Sequence, residues 1–178
     1  MTYNYINHQA FNISMDEDKT SQRVNKAEDE FKNWLDRHKI PYLYIQQDTE
    51  TFSSAFKDNS SGKRPDFLVL IPNFGFIFVD IKDKKLNSDF KTYPLDSEET
   101  TKYSSLQRKF NLQIWYVISN EDFDYKTWLW IPVSKVLESG IKECKSSVSQ
   151  KSFVPVPVNE FIQIADDDSL NRLFSKLY

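Results

Sequence analysis

Two apolar runs dominate the middle of the chain, and a short turn segment separates them. Residues 67–71 and 74–79 read FLVLI and FGFIFV, and apolar runs bounded by turn residues are typical of buried strands. The pattern predicts a β-hairpin with Asn73 at the centre of its turn. In that register Asp66 lies opposite Asp80 at the end of the hairpin.

The segment before the hairpin has the periodicity of an amphipathic helix. After Thr20 or Ser21, either of which could be the N-cap, and before Pro41, apolar residues recur on one helical face at Val24, Ala27, Phe31 and Leu35. Glu28 lies on this face, so we predict that its carboxylate points towards the sheet. The alternative for Glu28 is an ordinary salt bridge or a solvated position at the edge of the helix.

Shorter patterns predict the remaining elements. Residues 41–47 are predicted to form the first strand, and the polar residues 48–62 a long exposed loop. Further elements are a helix over 97–111, strands over 113–119 and 126–131, a short helix over 134–138, a loop over 141–152, an edge strand over 153–158 and a terminal helix over 169–178. Alternating tryptophans in the 126–131 strand indicate a core-facing side, with a base-stacking platform as the alternative.

Composition and charge favour one intracellular globular domain. The 178 residues are 39% hydrophobic, which suffices for a core without covalent staples. The single cysteine, Cys144, excludes an internal disulfide, and the presence of only two histidines argues against a structural zinc site. With neither a secretory signal pattern nor a membrane-length apolar stretch, a cytoplasmic protein is expected. The net charge is −3, but residues 63–91 contain six Lys or Arg against four Asp, so contacts with phosphates would be local.

The two facing aspartates carry the candidate chemistry. Like charges opposite each other are unfavourable in a sheet, and buried carboxylates are costly unless a cation neutralises them. A divalent cation would provide that neutralisation. Because side chains alternate along a strand, Lys82 lies on the same face as Asp80, while Ile81 turns to the other face. Two oxygen ligands and one ammonium group are therefore predicted to converge at the end of the hairpin.

This arrangement resembles the PD-(D/E)xK nuclease superfamily. Pro65-Asp66 matches the first half of the motif and Asp80-Ile81-Lys82 the second, with a hairpin between them as in that family. The resemblance covers about residues 24–119 and implies an α/β fold with a restriction-endonuclease-like core of order α-β-β-β-α-β. In this core a mixed central sheet has helices on both faces, and C-terminal strands and a helix follow it. The chain is then one nuclease-like domain (1–178) with a core at 20–119, an N-terminal arm at 1–19 and a C-terminal extension at 120–178.

The same resemblance implies an activity and a set of site residues. It implies a Mg²⁺-dependent endonuclease, with Mn²⁺ as a substitute, that cleaves DNA, or RNA as the alternative substrate. The metal ligands would be Glu28, Asp66, Asp80 and the backbone carbonyl of Ile81. Catalysis would add Lys82, which orients or deprotonates the attacking water, and Gln107, which matches a glutamine or lysine found on the following helix in the Holliday-junction-resolvase-like branch. Flanking phosphates would be bound by Lys63, Arg64, Lys84, Lys85 and Lys91.

Three questions stay open at the level of sequence: the function, the role of Gln107 and the oligomeric state. The fold could serve as a non-catalytic nucleic-acid-binding or protein-interaction module, in which the carboxylates form a structural pair. The presence of both acids and the lysine favours the enzyme, since degenerate members of such families usually lose one of them. Gln107 could equally be an ordinary helical glutamine. Cutting both strands of a duplex needs two active sites, and a homodimer would supply them.

Overall fold

The computed structural model describes residues 26–46, 53–54, 63–138, 143–146 and 150–174. Helix α1 covers residues 26–37 of this part of the chain. The other helices and strands are β1 (Tyr42–Tyr44), β2 (Phe67–Ile71), β3 (Gly75–Asp83), β4 (Thr92–Asp96), α2 (Ser97–Phe110), β5 (Ile114–Ser119), β6 (Thr127–Pro132), α3 (Val133–Glu138), β7 (Cys144–Lys145), β8 (Ser152–Pro157) and β9 (Ile162–Ala165). Short 3-10 helices span Glu121–Phe123, Val158–Glu160 and Leu170–Leu173.

A six-stranded mixed sheet forms the centre of the fold, in the order β1-β2-β3-β5-β6-β9. Neighbouring strands are antiparallel except for β3 and β5, which are parallel. Parallel neighbours need a crossover connection, and here β4 and α2 provide it. Helix α2 must therefore run back from the end of β3 to the start of β5.

The predicted hairpin is confirmed in its register. Ile71 faces Gly75, and the β2–β3 ladder continues to the pair formed by Phe67 and Val79. Asn73 at the turn has a φ of 64°, a left-handed conformation that asparagine adopts more readily than most residues. Turn chemistry and a buried face together fix the register, because a slip of one residue would turn every core side chain outwards.

Helices cover both faces of the sheet. On one face, Phe31 and Trp34 of α1 pack against Phe67, Trp128 and Trp130. Phe31 lies 4.9 Å from Trp128 between ring centroids. The prediction that these tryptophans face the core is confirmed. On the other face, α2, α3 and the second sheet enclose a separate cluster that includes Tyr103, Tyr116, Val136 and Val156. The predicted α/β fold class, with a mixed sheet between helices, is therefore confirmed.

The C-terminal part differs from the prediction. Strand β4 was not predicted, and it forms a second sheet in the order β4-β8-β7. Strand β7 lies within the predicted loop 141–152, and β8 is the central strand of this sheet rather than an edge strand. Its prolines are tolerated because β7 pairs only with Ser152 and Phe153, which leaves the later residues of β8 open on that side.

Other predictions concern boundaries. The first strand is shorter than the predicted residues 41–47, and the described part of the predicted terminal helix is a 3-10 turn. The arm at residues 1–19, the start of the first helix and most of the 48–62 loop lie outside the described residues. Within the part that is described, no helix is both long and apolar enough to cross a membrane.

Candidate functional site

Asp66 is tied to β3 at the open end of the hairpin. Its backbone N–H donates to the Val79 carbonyl at 2.9 Å. Its side-chain Oδ2 accepts a hydrogen bond from the Ile81 N–H at 2.7 Å. The carboxylate therefore takes a backbone donor of the neighbouring strand, which fixes it beside Asp80.

Asp80 is held by groups from three directions. Its side chain is 1% exposed. The Tyr103 hydroxyl of α2 donates to Oδ1 at 2.6 Å and also lies within 2.8 Å of the Arg64 carbonyl oxygen. The Lys82 ammonium lies 2.5 Å from Oδ2. Asp80 thus sits at the junction of the hairpin, α2 and the segment that leads into β2.

Glu99 joins the site from the first turn of α2. Its Oε1 accepts from Lys82 Nζ at 2.8 Å and from Lys63 Nζ at 2.9 Å. Lys63 Nζ also lies 4.0 Å from Asp80 Oδ1. Two carboxylates and two ammonium groups therefore form one connected network at the end of β3.

Burial and neighbouring charges control the protonation of the two aspartates. For Asp66, burial and then the charge of Asp80 raise the pKa to about 8, against the lowering effect of its bond to the Ile81 N–H. The pKa of Asp80 is raised by burial, which the charge of Lys82 opposes. For Lys82, burial lowers the pKa, but Asp80 and Glu99 more than offset this and hold it above that of a free lysine. Lys82 is thus charged at neutral pH, whereas the Asp66 carboxyl, with a pKa of about 8, still holds its proton there in the absence of metal.

Glu28 points towards the sheet, as predicted. It is 9% exposed, and its Oε2 accepts a hydrogen bond from the Tyr44 hydroxyl at 2.8 Å. The Tyr44 ring packs against Phe67, the residue after Asp66, with ring centroids 5.2 Å apart. The charge of Glu28 adds to the rise in the pKa of Asp66. Glu28 therefore lies within electrostatic range of the aspartates, and its role as a metal ligand stays a prediction.

Gln107 lies one helical turn beyond Tyr103. It lines a cavity of about 610 Å³ together with Asn111, Trp115 and Phe174. Its Oε1 is buried and has no hydrogen-bond partner among the described residues. The structure thus places Gln107 in a cavity next to the start of β5, and its proposed catalytic role stays a prediction.

The five predicted phosphate-binding residues occupy different environments. Lys63 pairs with Glu99 as described above. Arg64 is 7% exposed, so its guanidinium is largely enclosed. Lys84 is half-buried, and burial followed by the charge of Lys82 lowers its pKa. Lys85 is exposed at 3.2 Å from Asp122, and Lys91 is exposed. Lys85 and Lys91 are thus the two of the five that present themselves most fully to solvent.

The donor set fits a hard divalent cation through the two aspartates. Across the described residues, no group of three or more His, Cys, Asp and Glu side chains is arranged to hold a metal ion. Mg²⁺, however, commonly binds proteins through one or two carboxylates and keeps several waters. Burial, and then the charge of Asp80, raise the pKa of Asp66, and a bound cation would favour its ionised form. Asp66 and Asp80 therefore suit such an ion, whereas Glu28 is not gathered with them into a three-carboxylate group.

Two functional candidates were missed by sequence reasoning, Glu99 and Tyr103. In the sequence, an acid in the first turn of a helix such as Glu99 is explained by the helix dipole alone, and an aromatic such as Tyr103 by core packing. Their spacing of four residues was the available signal, because it places both side chains on one face of α2. The identity of their partners on β3 follows only from the tertiary arrangement.

No protein-family model matches the chain, and a search of curated proteins gives no match. Solved structures similar to it include Hjc, a Holliday junction resolvase from Archaeoglobus fulgidus, with a TM-score of 0.45 and 11% identity over 84% of this chain and 93% of that chain. Another is D212, a nuclease from a fusselovirus, with a TM-score of 0.43 and 11% identity over 96% of this chain and 93% of that chain.

Proposed function

We propose that this protein is a metal-dependent endonuclease that hydrolyses phosphodiester bonds in DNA. The observation that carries the proposal is the convergence of Asp66, Asp80 and Lys82 at one end of the hairpin. Two carboxylates beside a charged ammonium provide oxygen ligands for Mg²⁺ or Mn²⁺ and a cation for the phosphate or the attacking water. RNA is the alternative substrate for the same chemistry.

Asp66, Asp80 and the Ile81 carbonyl would hold the ion, with Glu28 as the proposed further ligand. A bound Mg²⁺ ion would activate water and stabilise the charge that develops on the phosphate. Asp66 is oriented for this role by the Ile81 N–H, and Asp80 by the Tyr103 hydroxyl.

Lys82 would orient the attacking water or assist its deprotonation, and its charge would offset that of the phosphate. Its flexible stem allows the ammonium to move between an aspartate and a substrate oxygen. Lys63, Arg64, Lys84, Lys85 and Lys91 are the proposed contacts to flanking phosphates. Such contacts position a nucleic acid without reading its sequence.

A second candidate function is a non-catalytic nucleic-acid-binding module. It is favoured by the network itself, because Lys82 already neutralises part of the charge of Asp80 within the chain. In that case the acids and lysines would form a structural ion-pair cluster, and the basic residues would supply the binding surface.

The two functions are separated by incubating the protein with plasmid, single-stranded and branched DNA in Mg²⁺, Mn²⁺ or EDTA. The nuclease proposal predicts cleavage only with metal, and its loss in Lys82→Ala. Lys102→Ala is the matched control, because Lys102 pairs with Glu98 on the exposed side of α2. Cleavage by Lys82→Ala at the wild-type rate would refute the assignment of Lys82. Binding without cleavage in any metal would favour the second function.

A further inference from the structure

Glu99 lies on α2, whereas the other two carboxylates at the site belong to the hairpin region, Asp80 on β3 and Asp66 just before β2. Its position is fixed by the helix start, where its backbone N–H donates to Asp96 Oδ1 at 2.9 Å. The neighbouring Thr100 is anchored too, since its hydroxyl donates to the Asp96 carbonyl at 2.6 Å. The backbone of Glu99 is therefore anchored at the end of β3, and ion pairs with Lys63 and Lys82 hold its carboxylate there.

The Lys82 ammonium lies between two carboxylates and contacts both. It is 2.5 Å from Asp80 Oδ2 and 2.8 Å from Glu99 Oε1. A metal ion held by Asp80 would compete with the ammonium for the same carboxylate and would repel it. Displacing a mostly buried ammonium is costly unless another anion receives it. Glu99 is such an anion, and it is already in contact.

We propose that Glu99 is a positioning residue. It retains the Lys82 ammonium at the site when Asp80 exchanges its ion pair with Lys82 for coordination of the metal ion. This inference rests on the proposed nuclease function. In this arrangement Lys82 acts as the internal counterion of Asp80 in the absence of metal. Glu99 then keeps the ammonium next to the metal instead of letting it move out to solvent.

The proposal makes the effect of Glu99 on metal binding depend on Lys82. Without the Glu99 charge, Lys82 would hold Asp80 as its main anionic partner, and the metal would have to break that pair with no second acceptor for the ammonium. Without Lys82 no ammonium in direct contact with Asp80 has to be displaced, because Lys63 already pairs with Glu99 and lies 4.0 Å from Asp80, and Glu99 should matter little. A direct metal ligand, or a carboxylate acting only through its own charge, would instead affect metal binding equally in both backgrounds.

The test is a double-mutant cycle read out by calorimetry with Mn²⁺ alone and no nucleic acid. The proteins are the wild type, Glu99→Gln, Lys82→Gln and the double variant. We expect Glu99→Gln to raise the Mn²⁺ Kd by about tenfold in the wild-type background and by less than about twofold in the Lys82→Gln background. Glu98→Gln is the matched control, since Glu98 is exposed, pairs with Lys102, and should shift the Kd by less than about twofold.

Equal shifts of the Kd in both backgrounds would overturn the inference while leaving the proposed function intact, provided that the wild type binds Mn²⁺ and cleaves DNA. A wild type that binds no Mn²⁺ would overturn both. Thermal unfolding of each variant checks that it is folded. Should Glu99→Gln fail to fold, Glu99→Asp replaces it in both the single and the double variant. The role would also be refuted if Glu99→Asp left the Mn²⁺ Kd unchanged in the wild-type background but shifted it about tenfold in the Lys82→Gln background.

Discussion

The sharpest prediction concerns the charge of Asp66. Asp66→Asn removes the negative charge but keeps a side-chain oxygen that can accept the Ile81 N–H bond, so it isolates electrostatics from hydrogen bonding. In the absence of metal, we expect the variant to be more stable than the wild type at alkaline pH. The reason is that burial and the charge of Asp80 both oppose ionisation of Asp66.

The magnitude follows from linkage. The pKa of Asp66 rises from an ordinary value of 3.8 to about 8, which means that the native state holds this proton more tightly than the unfolded chain does. The wild type should therefore lose stability as the pH rises from about 4 to about 8, with no further loss above that range. At 1.36 kcal/mol per pKa unit, the upper limit of the loss is on the order of 6 kcal/mol. Asp66→Asn should not show this loss.

The assay is urea denaturation in EDTA at pH 4, 6 and 9. The free energy of unfolding of Asp66→Asn should match that of the wild type at pH 4 and exceed it by several kcal/mol at pH 9. Asp29→Asn is the control, because Asp29 is an exposed acid paired with Lys32. A variant less stable than the wild type at pH 9 would refute the reasoning. It would show that the ionised carboxylate stabilises the hairpin more through the Ile81 N–H bond than repulsion destabilises it.

Three further predictions test neighbouring groups. Glu28→Gln should strongly reduce cleavage in the DNA assay, whereas Asp29→Asn should cleave like the wild type, and an equal loss in both would show that Glu28 has no specific role. Tyr103→Phe should lower the free energy of unfolding in urea by about 1–3 kcal/mol, because the buried Asp80 loses a hydrogen-bond donor, and an unchanged value would contradict that bond. Gly75→Ala should destabilise the hairpin by about 1 kcal/mol, because the φ of 118° at Gly75 is unfavourable for any side chain, while leaving Mn²⁺ binding unchanged.

The parts of the fold that were predicted correctly have strong local signals. The hairpin register follows from two apolar runs and one turn, and the facing of α1 follows from helical spacing at Phe31 and Leu35. The second sheet lacks such signals. Strand β4 has five residues and contains a proline, and β7 has only two residues, so neither shows a readable period. Both strands depend on pairing with β8, which is distant in sequence from β4 and is separated from β7 by a short connection.

The candidate site likewise has residues that local sequence patterns place correctly and residues that only the tertiary structure places. Asp66, Asp80 and Lys82 come from one hairpin, so strand alternation and register are enough to bring them together. Their partners Glu99 and Tyr103 lie on a helix whose placement depends on the crossover from β3 to β5. The burial of Arg64 has a similar origin, because the segment that carries it passes under Tyr103, which hydrogen-bonds its carbonyl. The sequence identifies the Lys and Arg residues, but it does not show which of them become buried in the folded protein.

The spacing between α2 and β3 explains which helical residues reach the site. Alternate residues on one face of a strand are about 6.6 Å apart, and every fourth residue of a helix is about 6 Å further along its axis. Because α2 runs antiparallel to β3, steps of four along the helix match steps of two along the strand. Glu99 thus meets Lys82 at 2.8 Å, and Tyr103 meets Asp80 at 2.6 Å. Four residues further along α2, Gln107 corresponds by the same spacing to Phe78, which lies two residues before Asp80 on β3. Gln107 is therefore beyond the carboxylates and lines the cavity beside β5.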